Sequence, residues 1–196
     1  PTFDTPFGNN VLNIEEAAVD QVLTGTTGIT GAGQTVSVTL GDTAYPGSVD
    51  ADGNWTVILP SAVLQALEDG STPLQVTVTD IAGNSATATQ TPTVALTAPT
   101  LTVGTVTDDN VINYAEAQAG VAVSGTASLP DSTVTVTLGG QTFTAQTNGD
   151  GDWTLSLPAG ALSAGGAFPD GTYPLTVSVT DANGNTTTTS QVVVIN

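Results

Sequence analysis

The chain states one pattern twice. Residues 10–17 read NVLNIEEA and residues 110–117 read NVINYAEA. QTVSVTLG at 34–41 returns as STVTVTLG at 132–139, and DADGNWTVILP at 50–60 returns as GDGDWTLSLP at 149–158. DGSTPLQVTVTDIAGN at 69–84 returns as DGTYPLTVSVTDANGN at 170–185. The order is kept and the offset changes by only a few residues, so differences in length fall between the motifs. A chain built this way folds as two copies of one unit. The boundary is placed to give domains 1–98 and 99–196. The joint, Leu96-Thr97-Ala98-Pro99-Thr100, has one proline and no glycine, which predicts a short, fairly stiff link.

Within each copy the apolar period is two. Val36, Val38 and Leu40 share a face, as do Leu74, Val76 and Val78; Val134, Val136 and Leu138 repeat the first set, and Leu175, Val177 and Val179 the second. Such alternation, in short runs bounded by Gly, Asp and Asn, predicts half-buried antiparallel strands. In the second copy the runs fall at 100–106, 120–126, 132–138, 141–147, 152–157, 173–180 and 186–194. About seven strands in a unit of this size is the pattern of an immunoglobulin-like sandwich. The predicted fold is therefore all-β, two tandem immunoglobulin-like β-sandwich domains. Trp55 and Trp153 each open a strand and are expected core anchors. IEEAAVDQV, YAEAQAG, SAVLQAL and AGALSAG (159–165) are candidate helical turns. Tyr173, after Asp170-Gly171-Thr172, holds a tyrosine-corner position that Thr72 takes in the first copy.

Composition narrows the chemistry. There is no Lys, Arg, His or Cys, against 18 carboxylates. General acid/base catalysis by imidazole, thiol nucleophiles and Schiff bases are all excluded. No cationic side chain is present to hold nucleic acid, so none is expected as a partner. Gathering this charge into a compact state is self-repelling. An external cation relieves it, and calcium, which takes carboxylate and carbonyl oxygens, is the expected one. Magnesium is less suited, because it demands stricter geometry and keeps its waters. No apolar run reaches the length of a membrane span, so no membrane insertion is expected. No signal peptide is visible at the start, which reads like the start of an excised fragment.

The ordered set Asn-x-x-Glu (13–16 and 113–116), Gly-Thr (25–26 and 125–126), TVTVTLG (133–139), Asp-Gly-x-Trp (52–55 and 150–153), DGTYPLTVSVTD (170–181) and AGN (82–84) resembles the bacterial Ig-like repeats of giant surface adhesins. These are the biofilm-associated and large RTX-type adhesins exported by type I secretion. The resemblance covers both copies over nearly the whole chain. It implies an extracellular stalk module at the bacterial cell surface, often rigidified by calcium, whose partners are neighbouring repeats of the same chain. This chain departs from many such repeats in having no basic residue.

In a sandwich of this order the AB and EF loops share the end where the chain leaves, and the DE and FG loops share the end where it enters. Three acidic clusters map onto these ends. The AB connection contains Asn10, Asn13, Glu15 and Glu16 in one copy, and Asp108, Asp109, Asn110, Asn113 and Glu116 in the other. Asp69 and Asp170, in the EF loops, are expected beside them. Two readings are open: oxygen ligands on one face of a helical turn, or a helix cap followed by acids in its first turn. The DE loops contain Asp50, Asp52 and Asn54, and Asn148, Asp150 and Asp152. These read as tight hairpin turns or as half of a cation site. The FG loops, Asp80 to Asn84 and Asp181 to Asn185, read either way as well.

The expected calcium ligands are Asn13, Glu15, Glu16, Asp69, Asp80, Asn113, Glu116, Asp150, Asp152, Asp170 and Asp181, with the ions at or near the inter-domain junction. The leading expectation is a monomeric, non-enzymatic extender module. A calcium-dependent carbohydrate- or ligand-binding sandwich is the alternative. A glycosidase could use paired carboxylates, but acids on hairpin turns, with no pocket-forming insertion, do not suggest a cleft.

Overall fold

A computed structural model describes residues 1–162 and 168–196. The chain divides into two units, Pro1–Thr97 and Ala98–Asn196. In unit 1 the strands are β1 (Val11–Asn13), β2 (Gln21–Thr26), β3 (Thr35–Leu40), β4 (Thr43–Val49), β5 (Asn54–Leu59), β6 (Gly70–Ser71), β7 (Leu74–Thr79), β8 (Ser85–Gln90) and β9 (Thr93–Ala95). Unit 2 has β10 (Val111–Ile112), β11 (Val121–Thr126), β12 (Thr133–Leu138), β13 (Gln141–Gln146), β14 (Asp152–Leu157), β15 (Gly171–Thr180) and β16 (Thr186–Ile195). The two long strands β15 and β16 correspond to pairs of shorter ones in unit 1. Pro92, which has no N–H to donate, separates β8 from β9.

The alternating apolar residues form the cores. Val38, Val57, Val76, Val134, Val136 and Val177 are fully buried, and the two units have separate clusters. Trp55 and Trp153 lie at the centre of each. Phe3 meets the Trp55 ring edge-on at 5.0 Å, and the Trp55 indole N–H donates to the Thr2 carbonyl at 2.9 Å. The Tyr173 hydroxyl donates to the Pro169 carbonyl at 2.6 Å, the tyrosine-corner bond expected at that position.

The first strand differs from expectation. Residues 100–106 do not form one strand. Thr102 and Gly104 donate to the Thr126 and Ser124 carbonyls, along β11, at 2.7 and 2.8 Å. The chain then turns through Val106–Asp108, where Thr107 and Asp108 take positive φ of 50° and 68°. It emerges as β10, pairing parallel with β16. Unit 1 does the same: Thr2 and Asp4 bond along β2, Pro6–Gly8 turns, and β1 pairs parallel with β9. A regular, uninterrupted strand keeps to one layer, so here the left-handed residues carry the chain across.

The units differ at one edge. In unit 1, β4 pairs with β3 up to Ser37↔Pro46 and then with β5 from Gly47↔Val57. A β-carbon at Gly47 would lie 2.1 Å from the Thr56 carbonyl, so only glycine permits the switch of sheets. Unit 2 has Thr144 and Ala145 there. Its β13 stays on β12 throughout, and β14 pairs with β11; a lone bridge, Thr147↔Trp153, connects the two edges.

Three expected helical turns are present: α1 (Ile14–Ala17), α2 (Ser61–Leu64) and α3 (Tyr114–Ala119). Of the fourth, AGALSAG, residues 163–165 lie outside the described residues, and 159–162 form a turn.

Candidate functional site

The candidate residues occupy two kinds of place. The first is the end where the chain leaves each unit. In unit 1 the pairing Asn13↔Ala95 sets the start of α1 beside the last strand. Asn13 and Glu16 form a reciprocal capping box: the Asn13 side chain accepts from Glu16 N–H at 2.9 Å, and the Glu16 carboxylate accepts from Asn13 N–H at 3.1 Å. Asn113 and Glu116 repeat it at 3.1 and 2.9 Å. The box gives two N–H groups at the start of each helix an acceptor. Asp69 accepts from Leu96 N–H at 2.5 Å and Thr97 N–H at 3.2 Å. A shallow hollow lined by Ile14, Ala17, Gln65 and Leu96 joins the α1 turn to this exit. Asn13, Glu16 and Asp69 thus gather round the last residues of unit 1. Glu15 is exposed on the same turn, and Asp170 is exposed just before β15.

The second place is a hairpin turn used four times. At 50–54 the Asp50 carboxylate accepts from Asp52 N–H (3.0 Å) and Asn54 N–H (2.8 Å), while its other oxygen accepts from the Asn54 amide (2.9 Å). Gly53 N–H closes the turn on the Asp50 carbonyl, with φ +82°. The turn at 80–84 repeats this with Asp80, Ala82, Gly83 and Asn84. That at 181–185 repeats it with Asp181, Asn183, Gly184 and Asn185. At 148–152 the residues are exchanged: Asn148 is the acceptor, for Asp150 and Asp152 N–H at 2.9 Å each. The Asp-x-x-Gly-Asn spacing is the sequence signal of three of these turns, and the exchanged residues mask it in the fourth. The glycine takes the left-handed position of a three-residue hairpin loop.

The geometry decides what these oxygens can do. Asp80 and Asp181 spend both oxygens on their own turns. Asp150 and Asp152 donate backbone N–H groups to Asn148 and are exposed. The donor set, carboxylate and amide oxygen, suits a hard cation such as calcium. Among the described residues, however, no three acidic side chains gather as a metal-binding group. No helix of the described residues is long and apolar enough to cross a membrane.

Hydrogen bonds to the ionised form hold three carboxyls below the ordinary value of 3.8. For Asp50 the chief cause is the Asn54 side chain, for Asp69 the Thr97 side chain and then Leu96 N–H, and for Asp80 the Asn84 side chain. A lowered folded value adds stability above the unfolded value and loses it as pH falls through the folded one. The melting temperature of unit 1 is therefore expected to start falling below about pH 4. Neutralisation of the −18 charge acts in the opposite direction. A triple variant, Asp50→Asn, Asp69→Asn and Asp80→Asn, should lose this acid limb; an unchanged limb would assign it to other groups.

A family model for a bacterial Ig-like domain matches residues 20–96 and again residues 89–195. A solved structure described as a Ca2+-stabilized adhesin that helps an Antarctic bacterium reach out and bind ice is 32% identical. The match covers 100% of this chain and 48% of that one, with a TM-score of 0.57. A second, concerned with host cell surface retention of a 1.5-MDa bacterial ice-binding adhesin, is 25% identical, covering 99% and 63%, with a TM-score of 0.53. The fibronectin(III)-like modules of CbhA from Clostridium thermocellum share the fold, at 16% identity and a TM-score of 0.52, covering 99% and 92%. The chain thus spans less than two thirds of either adhesin structure. No curated protein matches it.

Proposed function

Because the chain belongs to the bacterial Ig-like domain family, with two such domains in tandem, we propose that it is a stretch of extender, or stalk, from a large bacterial cell-surface adhesin. The observation that carries this reading is the likeness to an adhesin structure over 100% of the chain, through both units. The chemistry agrees. The conspicuous polar side chains serve turns and caps, which keep a repeat folded. The partners proposed are neighbouring repeats of the same chain, with the protein otherwise monomeric, outside the cell. Export by type I secretion and a part in biofilms belong to the same proposal.

Calcium is proposed as the rigidifying ion, bound at or near the inter-domain junction. Its support is 18 carboxylates with no cationic side chain, together with the Asp69 carboxylate held on Leu96 and Thr97, where the chain leaves unit 1. Calcium at one hundred times its dissociation constant is expected to stabilise the fold by about 2.7 kcal/mol. That raises the melting temperature by several degrees. The measurement compares EDTA with millimolar calcium at matched ionic strength, because screening alone relieves repulsion. Identical melting curves would remove calcium from the proposal. A fluorophore in each unit reads the stiffening separately: the distance distribution should narrow in calcium, and Glu16→Gln with Asp69→Asn should broaden it again. Broad distributions in both conditions would reject the rigidified stalk.

A further inference from the structure

The sequence contains two Asn-Gly pairs, Asn148-Gly149 and Asn183-Gly184, and the fold treats them oppositely. Both lie in copies of the same hairpin turn, but in different registers. Asn183 is inside its loop, and the following Gly184 N–H is spent on the Asp181 carbonyl at 3.2 Å. Asn148 instead starts its turn, in the place that Asp50, Asp80 and Asp181 hold in the other three. Its side-chain oxygen accepts two backbone N–H groups, from Asp150 and Asp152, each at 2.9 Å. Both partners are donors, so the atom facing them is the oxygen and not the amide nitrogen. Among the described residues, Gly149 N–H donates to no protein group. Asn148 and Gly149 are both exposed.

We propose that Asn148 is a built-in deamidation site, and that Asn183 is not. Two N–H donors withdraw electron density from the Asn148 carbonyl, as donors do for a developing oxyanion, and make Cγ the better electrophile. The Gly149 nitrogen has no competing bond and no side chain beside it. On losing its proton to solvent hydroxide it attacks Cγ, forming a C–N bond. The same two donors hold the charge that develops on the oxygen. The Cγ–Nδ2 bond then breaks and ammonia leaves, which closes a five-membered succinimide. Water opens this ring. Cleavage of the new bond to Cγ leaves an ordinary aspartate; cleavage at the backbone carbonyl leaves an isoaspartate, with the main chain rerouted through the side chain.

The ordinary product restores the residue type found at this position in the other three turns. Its last position differs, however. Those turns end in asparagine, whose amide bonds the acid at 2.9, 2.9 and 3.1 Å, whereas this one ends in Asp152. The reaction therefore replaces a neutral acceptor with a carboxylate close to Asp152, a like-charge pair without the amide that balances the others. Ageing of the chain would add negative charge at this one hairpin.

The test incubates the folded protein at mildly alkaline pH and follows both sites by mass spectrometry. Trypsin has no site in a chain without Lys or Arg, so peptides are made with pepsin, at an acid pH that stops the reaction. Position 148 is expected to convert about tenfold faster than position 183, a barrier difference of a size that one lost backbone hydrogen bond commands. Electron-based fragmentation separates aspartate from isoaspartate. Gly149→Ala is the second arm: a β-carbon there meets nothing within 4 Å, so the fold is kept while the nucleophile is crowded. This variant should bring position 148 down to the rate of position 183 with an unchanged melting temperature. Equal rates at the two sites in the parent chain, a faster rate at 183, or an undiminished rate in Gly149→Ala would each overturn the proposal.

Discussion

Trp55→Ala is expected to destabilise unit 1 by about 3–5 kcal/mol, the range for removing a buried aromatic side chain. Against a total stability of about 5–15 kcal/mol for a domain, this is a large fraction. The effect should be at the high end. Trp55 is fully buried, it packs edge-on to Phe3, and its indole N–H holds the Thr2 carbonyl. Its removal therefore loosens the first paired segment as well as opening a cavity. At about 4–8 °C per kcal/mol for a domain of this size, the melting temperature of unit 1 should fall by more than about 12 °C. Unit 2 provides the control, because its core shares no buried residue with that of unit 1. The one remaining tryptophan, Trp153, then reports unit 2 alone by fluorescence. A circular dichroism transition that splits, with the Trp153 signal unmoved, is the expected outcome. A Trp153 transition that falls in step would show that the two cores do not melt independently.

Gly53→Ala should cost unit 1 about 2–5 kcal/mol, from two additive causes. The backbone sits at φ +82°, where a β-carbon costs about 1–2 kcal/mol. That carbon would also lie 2.2 Å from the Ile29 carbonyl oxygen, a backbone atom that cannot move without displacing its loop, and such overpacking costs typically about 1–3 kcal/mol. Gly83→Ala separates the two causes. Gly83 holds the same position in another copy of the turn, at φ +88°, but a β-carbon there meets nothing within 4 Å. It should show the conformational cost alone, about 1–2 kcal/mol. Chemical denaturation midpoints of the two variants give the comparison. Equal losses would mean that the approach to Ile29 contributes nothing. Gly151→Ala, where the β-carbon would meet the Ala127 carbonyl at 2.2 Å, should match Gly53→Ala in unit 2.

What the sequence determined by itself was whatever is local or periodic. Strand faces follow from alternation: Val36, Val38 and Leu40, with their counterparts in the second copy, are all buried where the period of two put them. Asn13-x-x-Glu16 is a capping box because both bonds close within one helical turn, and one of the two readings of that motif already described it. The four hairpin turns are equally local. Asp-x-x-Gly-Asn contains its own acceptor, its left-handed residue and its closing amide, although the exchanged residues at Asn148 and Asp152 hid the fourth copy behind a cluster of acids.

The tertiary structure alone decided what depends on partners far along the chain. No local pattern says that the stretch from 100 to 112 must divide between two layers, because the parallel partner of β10 lies in β16, at the other end of the unit. Pro46-Gly47 was a visible break in a strand pattern, but only the nearby Thr56 carbonyl shows that it moves β4 from one sheet to the other. Asp69 is the clearest case among the candidate ligands. Its sequence neighbours make it a loop acid like Asp170, yet in the fold it fastens Leu96 and Thr97, where the chain leaves unit 1. Hydrogen bonds within a few residues are encoded by the residues themselves. Those across a sandwich exist only once packing of the core has brought the strands together.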